Sequence, residues 1–135
     1  MRTDQEWARH GWRAARRGLG PLIGGLWMYQ GMWNKVLGAR PEQAEIVAGV
    51  PLVGRRHART VTVALGWAET GLAAWVVSRR APRPAAVVQT LLIVAMNAGG
   101  WWFARTRLGN PRLLLLRNAA LTVVIWAAAI AGDEQ

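Results

Sequence analysis

The chain's single lysine, Lys35, lies near the end of one long apolar run. Glu69, the only acid between Glu45 and Asp133, lies in the middle of another. Two further apolar runs carry Asn97 and the adjacent pair Arg117 and Asn118. An ionisable side chain in hydrocarbon is costly unless it is paired, neutralised or hydrated, so each such residue marks a candidate site. Opposite charges there can hold one another or grip the polar head of a lipophilic molecule, and asparagines add hydrogen bonds. Other chemistry is sparse. The chain has no cysteine, which removes disulfides, thiol catalysis and thiolate metal sites. His10 and His57 sit in separate basic segments and no apolar run holds a histidine. Haem held by two histidines inside the apolar region is therefore not expected. No phosphate loop or catalytic motif is present, so an accessory role is expected ahead of autonomous catalysis.

Four apolar stretches must position these residues: 19–37, 59–78, 84–104 and 113–131. Each is about 20 residues, the length of a helix that crosses ~30 Å of hydrocarbon. Pro82 and Pro84 separate the second from the third, and Gly109-Asn110-Pro111 separates the third from the fourth. Pro21 is expected in the first turn of the first helix, where its missing N–H costs little. Trp27, Trp33, Trp75, Trp101, Trp102 and Trp126 fall mostly toward helix ends, where an amphipathic ring suits the membrane interface. The expected fold is all-α: an integral membrane antiparallel four-helix bundle over 19–131, with a tail at 132–135. A soluble bundle would need a polar stripe on each helix. From Ala119 to Ala131 only Thr122 is polar, which argues for the membrane.

Charge gives the same answer. The net charge is +10, which invites a nucleic-acid reading. The arginines, however, cluster in short blocks between apolar stretches: Arg13, Arg16 and Arg17; Arg55, Arg56 and Arg59; Arg79, Arg80 and Arg83. That is the pattern of loops facing lipid headgroups, so the expected partner is the bilayer and not nucleic acid. Residues 1–18 place Arg2, Arg9, Arg13 and Arg16 on one side of a helical wheel, with Trp7, Gly11, Ala14 and Gly18 opposite. This segment reads as an interfacial amphipathic helix or as a disordered basic tail. The first apolar run lacks a small-residue cleavage site and is expected to be retained as a span. The connection 38–58 contains EQAEIVAGVPLVG, an expected re-entrant or interfacial turn broken by Pro51 and Gly54. Four spans put both termini on one side, with eight flanking arginines against seven on the other. That small excess places both termini in the cytoplasm and the protein in the cell inner membrane.

Antiparallel threading brings the polar residues to similar depths. Glu69 lies near the membrane centre, and Lys35, Asn97, Arg117 and Asn118 lie in the half away from the termini. One centre shared by four helices is geometrically available, with Lys35 and Arg117 competing for Glu69. Both cations are also near enough to a boundary to snorkel to the headgroups. Glu69 cannot, and must be neutral, paired or hydrated. Gly20, Gly24, Gly31, Gly66, Gly99 and Gly100 permit close helix approach. Gly66 and Thr62 share a face with Glu69, and Trp33 and Trp67 are expected to wall a pocket. Tyr29, the only tyrosine, is a candidate ligand partner. With Asn34 and Gln30 these residues form the expected ligand-binding set. The alternative is structural: a Glu69 pair that only locks helices, with Asn97, Asn118, Gln30, Gln89 and Thr122 as interhelical glue.

The segments GLWMYQGMWNKVLG, ALGWAETGLAAWVVS, QTLLIVAMNAGGWWFA and GNPRLLLLRNAAL together resemble the DoxX-like family of small four-helix bacterial membrane proteins. The resemblance rests most on Trp33–Asn34–Lys35, Glu69, Met96–Asn97 and Arg117–Asn118. It implies a four-helix membrane bundle. The family's namesake is associated with a membrane subunit of thiosulfate:quinone oxidoreduction, and other relatives are accessory to oxidoreductases. The absence of cysteine departs from any thiol-redox role. The expected function is therefore an accessory or membrane subunit of an oxidoreductase system that holds a lipophilic molecule such as a quinone at the polar centre. A structural subunit of a larger membrane complex is the alternative, and a proton or solute path through Glu69 is a third. A partner subunit or homo-oligomer is expected in either of the first two cases.

Overall fold

Proline and asparagine set the helix boundaries where the sequence places them. A computed structural model describes residues 4–132 apart from the side chain of Arg16. Arg2 and Arg16 of the expected basic face, and residues 133–135 of the expected tail, lie outside this description. The order is α1 (Asp4–Met28), a π-helix (Tyr29–Val36), α2 (Glu42–Ala48), α3 (Gly54–Ser78), α4 (Pro82–Phe103), a 3₁₀ turn (Arg105–Arg107) and α5 (Pro111–Gly132). No strand occurs among the described residues. Pro82 and Pro111 occupy first helical positions, where a fixed φ is preorganised and no N–H is wanted. Asn110 caps α5, its Oδ1 accepting from Leu113 N at 3.0 Å.

Among the described residues three helices, α3, α4 and α5, are long and apolar enough to cross a membrane. The expected first span, 19–37, is divided between the end of α1 and the π-helix. Two local readings change here. Pro21 is not at a helix start but inside α1, which continues unbroken past residue 18. Its ring removes one backbone hydrogen bond there and does not end the helix. The segment 38–58 contains the short helix α2, packed mainly on α3. Arg107 fastens it by donating from Nη1 to Glu45 O at 2.8 Å.

Burying apolar faces drives the packing. α1 and the π-helix lie along α3, α4 pairs with α5, and α1 touches α5. Ile23, Trp27, Leu72, Ile93 and Ile125 meet at the centre with Ala73, Ala86 and Ala129. Small residues between large ones let the helices approach. α5 buries only Ile125, Ala129 and Ala131, and its Leu113–Leu116 run is exposed, as suits lipid.

Candidate functional site

Lys35 and Glu69 meet. Lys35 Nζ donates to Glu69 Oε1 at 3.0 Å and to Oε2 at 2.9 Å. Glu69 has no exposed surface and Lys35 is 5% exposed. Lys35 therefore does not snorkel. With one ammonium bridging both carboxylate oxygens, each charge has its counter-ion inside the protein, the condition under which burial of charge is tolerable.

The backbone makes this contact reachable. Gly31 in the π-helix and Gly66 in α3 pack against one another without side chains between them. A Cβ on Gly66 would lie 2.7 Å from Gly31 O and 2.8 Å from Lys35 Cβ. A Cβ on Gly31 would overlap Gly66 O and lie 2.8 Å from Glu69 Cβ. The wider π turn, closed by bonds such as Leu37 N to Met32 O at 2.8 Å, alters the order in which side chains leave the helix. Arg59 of α3 secures its end. Its Nη1 donates to Lys35 O at 2.9 Å and its Nη2 to Val36 O at 3.1 Å, satisfying carbonyls left open at a helix terminus.

The remaining candidates divide. Asn118 Nδ2 donates to Asn97 Oδ1 at 2.6 Å, tying α5 to α4. That bond shares no partner with the Lys35–Glu69 pair, so the polar residues form two separate pairs and not one four-helix centre. Arg117 is exposed beside Asn118 and does not compete for Glu69. Successive residues on a helix point about a third of a turn apart, so Asn118 can face α4 while Arg117 faces out. Tyr29, Trp33 and Trp67 are likewise exposed. Gln30 accepts from Asn34 Nδ2 at 3.2 Å within the π-helix. Asn34 is buried, and its Oδ1 has no hydrogen-bond partner among the described residues. Of the glycines expected at close contacts, Gly24, Gly31 and Gly66 are in them, whereas Gly20 and Gly99 face open space.

Two features were not singled out from sequence. Trp27, expected at an interface, is buried and donates from Nε1 to Gln89 Oε1 at 2.9 Å, joining α1 to α4. Its position one helical turn from Ile23 was the available signal. The second is a cavity of about 300 Å³ between α1, α3, α4 and α5, at the end near Arg17, Arg79 and Arg80. None of the expected ligand-binding residues lines it.

A model of the DoxX-like family matches residues 24–126. That range contains both polar pairs. No curated protein and no solved structure matches the chain.

Proposed function

This chain belongs to the DoxX-like family of membrane proteins, and from that premise we propose that it is a non-catalytic accessory subunit of an oxidoreductase system. In this reading the Lys35–Glu69 pair locks the helices so that the exposed apolar faces meet a partner subunit or a second copy in fixed geometry. Residues 19–37 act as the first of four spans of an antiparallel bundle in the inner membrane, with both termini cytoplasmic. The observation that supports the lock is the mutual satisfaction of the two charges. Both carboxylate oxygens are taken by one ammonium in a buried contact, and the flanking glycines leave no room for a ligand between their helices. The test compares Lys35→Met and Glu69→Leu singly and together, reading thermal stability and recovery of the partner on purification. A lock gives two unstable single variants and a double variant that regains stability and keeps its partner. A stable double variant that loses its partner or its physiological role would sink the reading.

One observation favours a second reading, in which a quinol binds beside the pair. Asn34 Oδ1 is a buried acceptor without a donor, an arrangement that costs free energy unless something fills it. A quinol hydroxyl is such a donor. Native mass spectrometry of the protein from lipid nanodiscs under reducing conditions tests this, with a quinol-mass adduct expected on the native chain and its loss on Asn34→Leu. An adduct that survives Asn34→Leu, or none on the native chain, excludes this reading.

A further inference from the structure

The cavity at the far end of the helices from Lys35 has the composition of a lipid site. Its floor is mostly apolar, with Ile23 from α1 and Ile125 and Ala129 from α5, beside Gln89 of α4. Its rim carries Arg17, Arg79 and Arg80, and no acid is among the described residues lining it. Asp133 and Glu134 follow Gly132 of the lining in sequence. A volume of about 300 Å³ is within the range of small-molecule pockets and is enough for part of an acyl chain.

The Arg79 side chain and the backbone that carries Arg80 are held in place. Arg79 Nη2 donates to Arg17 O at 3.1 Å, which ties the α3 end to α1. Trp75 Nε1 donates to Arg80 O at 2.8 Å, and Ser78 Oγ accepts from Arg80 N at 3.3 Å. Arg79 and Ala81 both adopt left-handed backbone conformations, at φ 58° and 48°. Side chains other than glycine adopt this region uncommonly, and such residues cluster where surrounding structure imposes a functional geometry. Here the tight turn between α3 and α4 sets two guanidinium groups at the mouth of an apolar cavity. Guanidinium forks match phosphate oxygens in geometry as well as charge.

We propose that this cavity binds an acidic phospholipid, with its phosphate held by Arg17, Arg79 and Arg80 and part of an acyl chain on the Ile23–Ile125–Ala129 floor. A lipid is favoured over a free anion because the apolar floor lies directly beneath the cations. The site is separate from the Lys35–Glu69 pair and does not depend on the role given to that pair.

The experiment uses the full chain in nanodiscs of zwitterionic phosphatidylcholine with a minor fraction of phosphatidylglycerol. Native mass spectrometry after delipidation reads which lipid is retained. The native chain is expected to retain phosphatidylglycerol. Arg79→Gln with Arg80→Gln is expected to weaken retention roughly thirtyfold, from the usual surface contribution of two cations. Arg55→Gln with Arg56→Gln makes the same charge change at the opposite end of α3 and is expected to retain it. Ala128→Trp, which fills the cavity without changing charge, is expected to displace the lipid, and inorganic phosphate is not expected to compete. Equal loss in the two arginine double variants, retention in Ala128→Trp, or displacement by inorganic phosphate would each overturn the proposal. Circular dichroism of each variant establishes that it is folded, and a folded Asp133→Asn, Glu134→Gln chain that fails to retain the lipid would also overturn it.

Discussion

Gly31 and Gly66 face one another across the contact between the π-helix and α3, so closely that a Cβ on either would strike the other's carbonyl oxygen. This contact lets Lys35 reach Glu69. Backbones held a side chain's width further apart would put the two charges beyond hydrogen-bond range, and both would remain buried without compensation. The glycine pair and the ion pair are thus one device, with packing on one helical turn and electrostatics on the next.

Gly66→Val is therefore expected to cost more than the helix propensity of valine would suggest. Its added carbons must displace Gly31 O and Lys35 Cβ, and overpacking of this kind costs about 1–3 kcal/mol. Gly71 offers a control in the same helix, because a Cβ there meets nothing within 4 Å. Gly71→Ala is expected to be neutral or to stabilise by up to about 1 kcal/mol, as for glycine in a helix interior. Thermal unfolding of both variants in the same nanodiscs checks the contrast.

The ion pair gives a sharper expectation. Removing one partner leaves a charge buried alone, at about 3–5 kcal/mol, whereas replacing both with apolar side chains is often neutral or stabilising. Lys35→Met and Glu69→Leu should each destabilise strongly, and the double variant should recover most of the loss. A coupling energy near zero in that cycle would show that the two residues act independently.

Arg117 should behave unlike its neighbour. It is exposed, so Arg117→Gln is expected to leave stability within about 0.5 kcal/mol of the native value. Asn118→Leu removes the 2.6 Å bond to Asn97 and should cost about 0.6–1.7 kcal/mol, the range for side-chain hydrogen bonds between membrane helices. Parallel denaturation of the two variants separates these outcomes.

These contrasts mark how far the sequence could be read. Glu69 was legible because a lone acid amid apolar residues needs a partner, and Lys35 was one of two on offer. Choosing between Lys35 and Arg117 needed the facing of α5, which is apolar almost all round and so carries little periodic signal. The π-helix was not legible either. YQGMWNKV has no residue that dictates a wider turn, and the π form is held by contacts with α3, including those from Arg59. Trp33 lies just before the buried Asn34 and Lys35 in sequence yet faces outward, because successive helical residues point about a third of a turn apart. Pro21 misled because proline is commonest at helix starts, whereas here α1 runs through it.

Trp27 and Gln89 offer a test of the core that is independent of charge. Trp27 is 3% exposed, and its Nε1 donates to Gln89 Oε1, whose own amide nitrogen donates to Ala85 O at 3.2 Å. Trp27→Phe keeps an aromatic ring in the cluster with Ile23 and Leu72 but removes the donor. Gln89 then holds a buried acceptor without that donor. Such a loss costs about 1–3 kcal/mol in a dry core and nearer 0.6 kcal/mol between membrane helices, where the alternatives are less wet. Gln89→Leu alone strands the indole N–H in the same way. The double variant Trp27→Phe with Gln89→Leu leaves neither group stranded, so its destabilisation should be smaller than the sum of the two single effects. The difference between sum and double, measured by thermal unfolding of the full chain, isolates the hydrogen bond from the packing of the ring. A strictly additive pair would mean that Trp27 contributes through volume alone, and that α1 is held to α4 by packing without a polar tie.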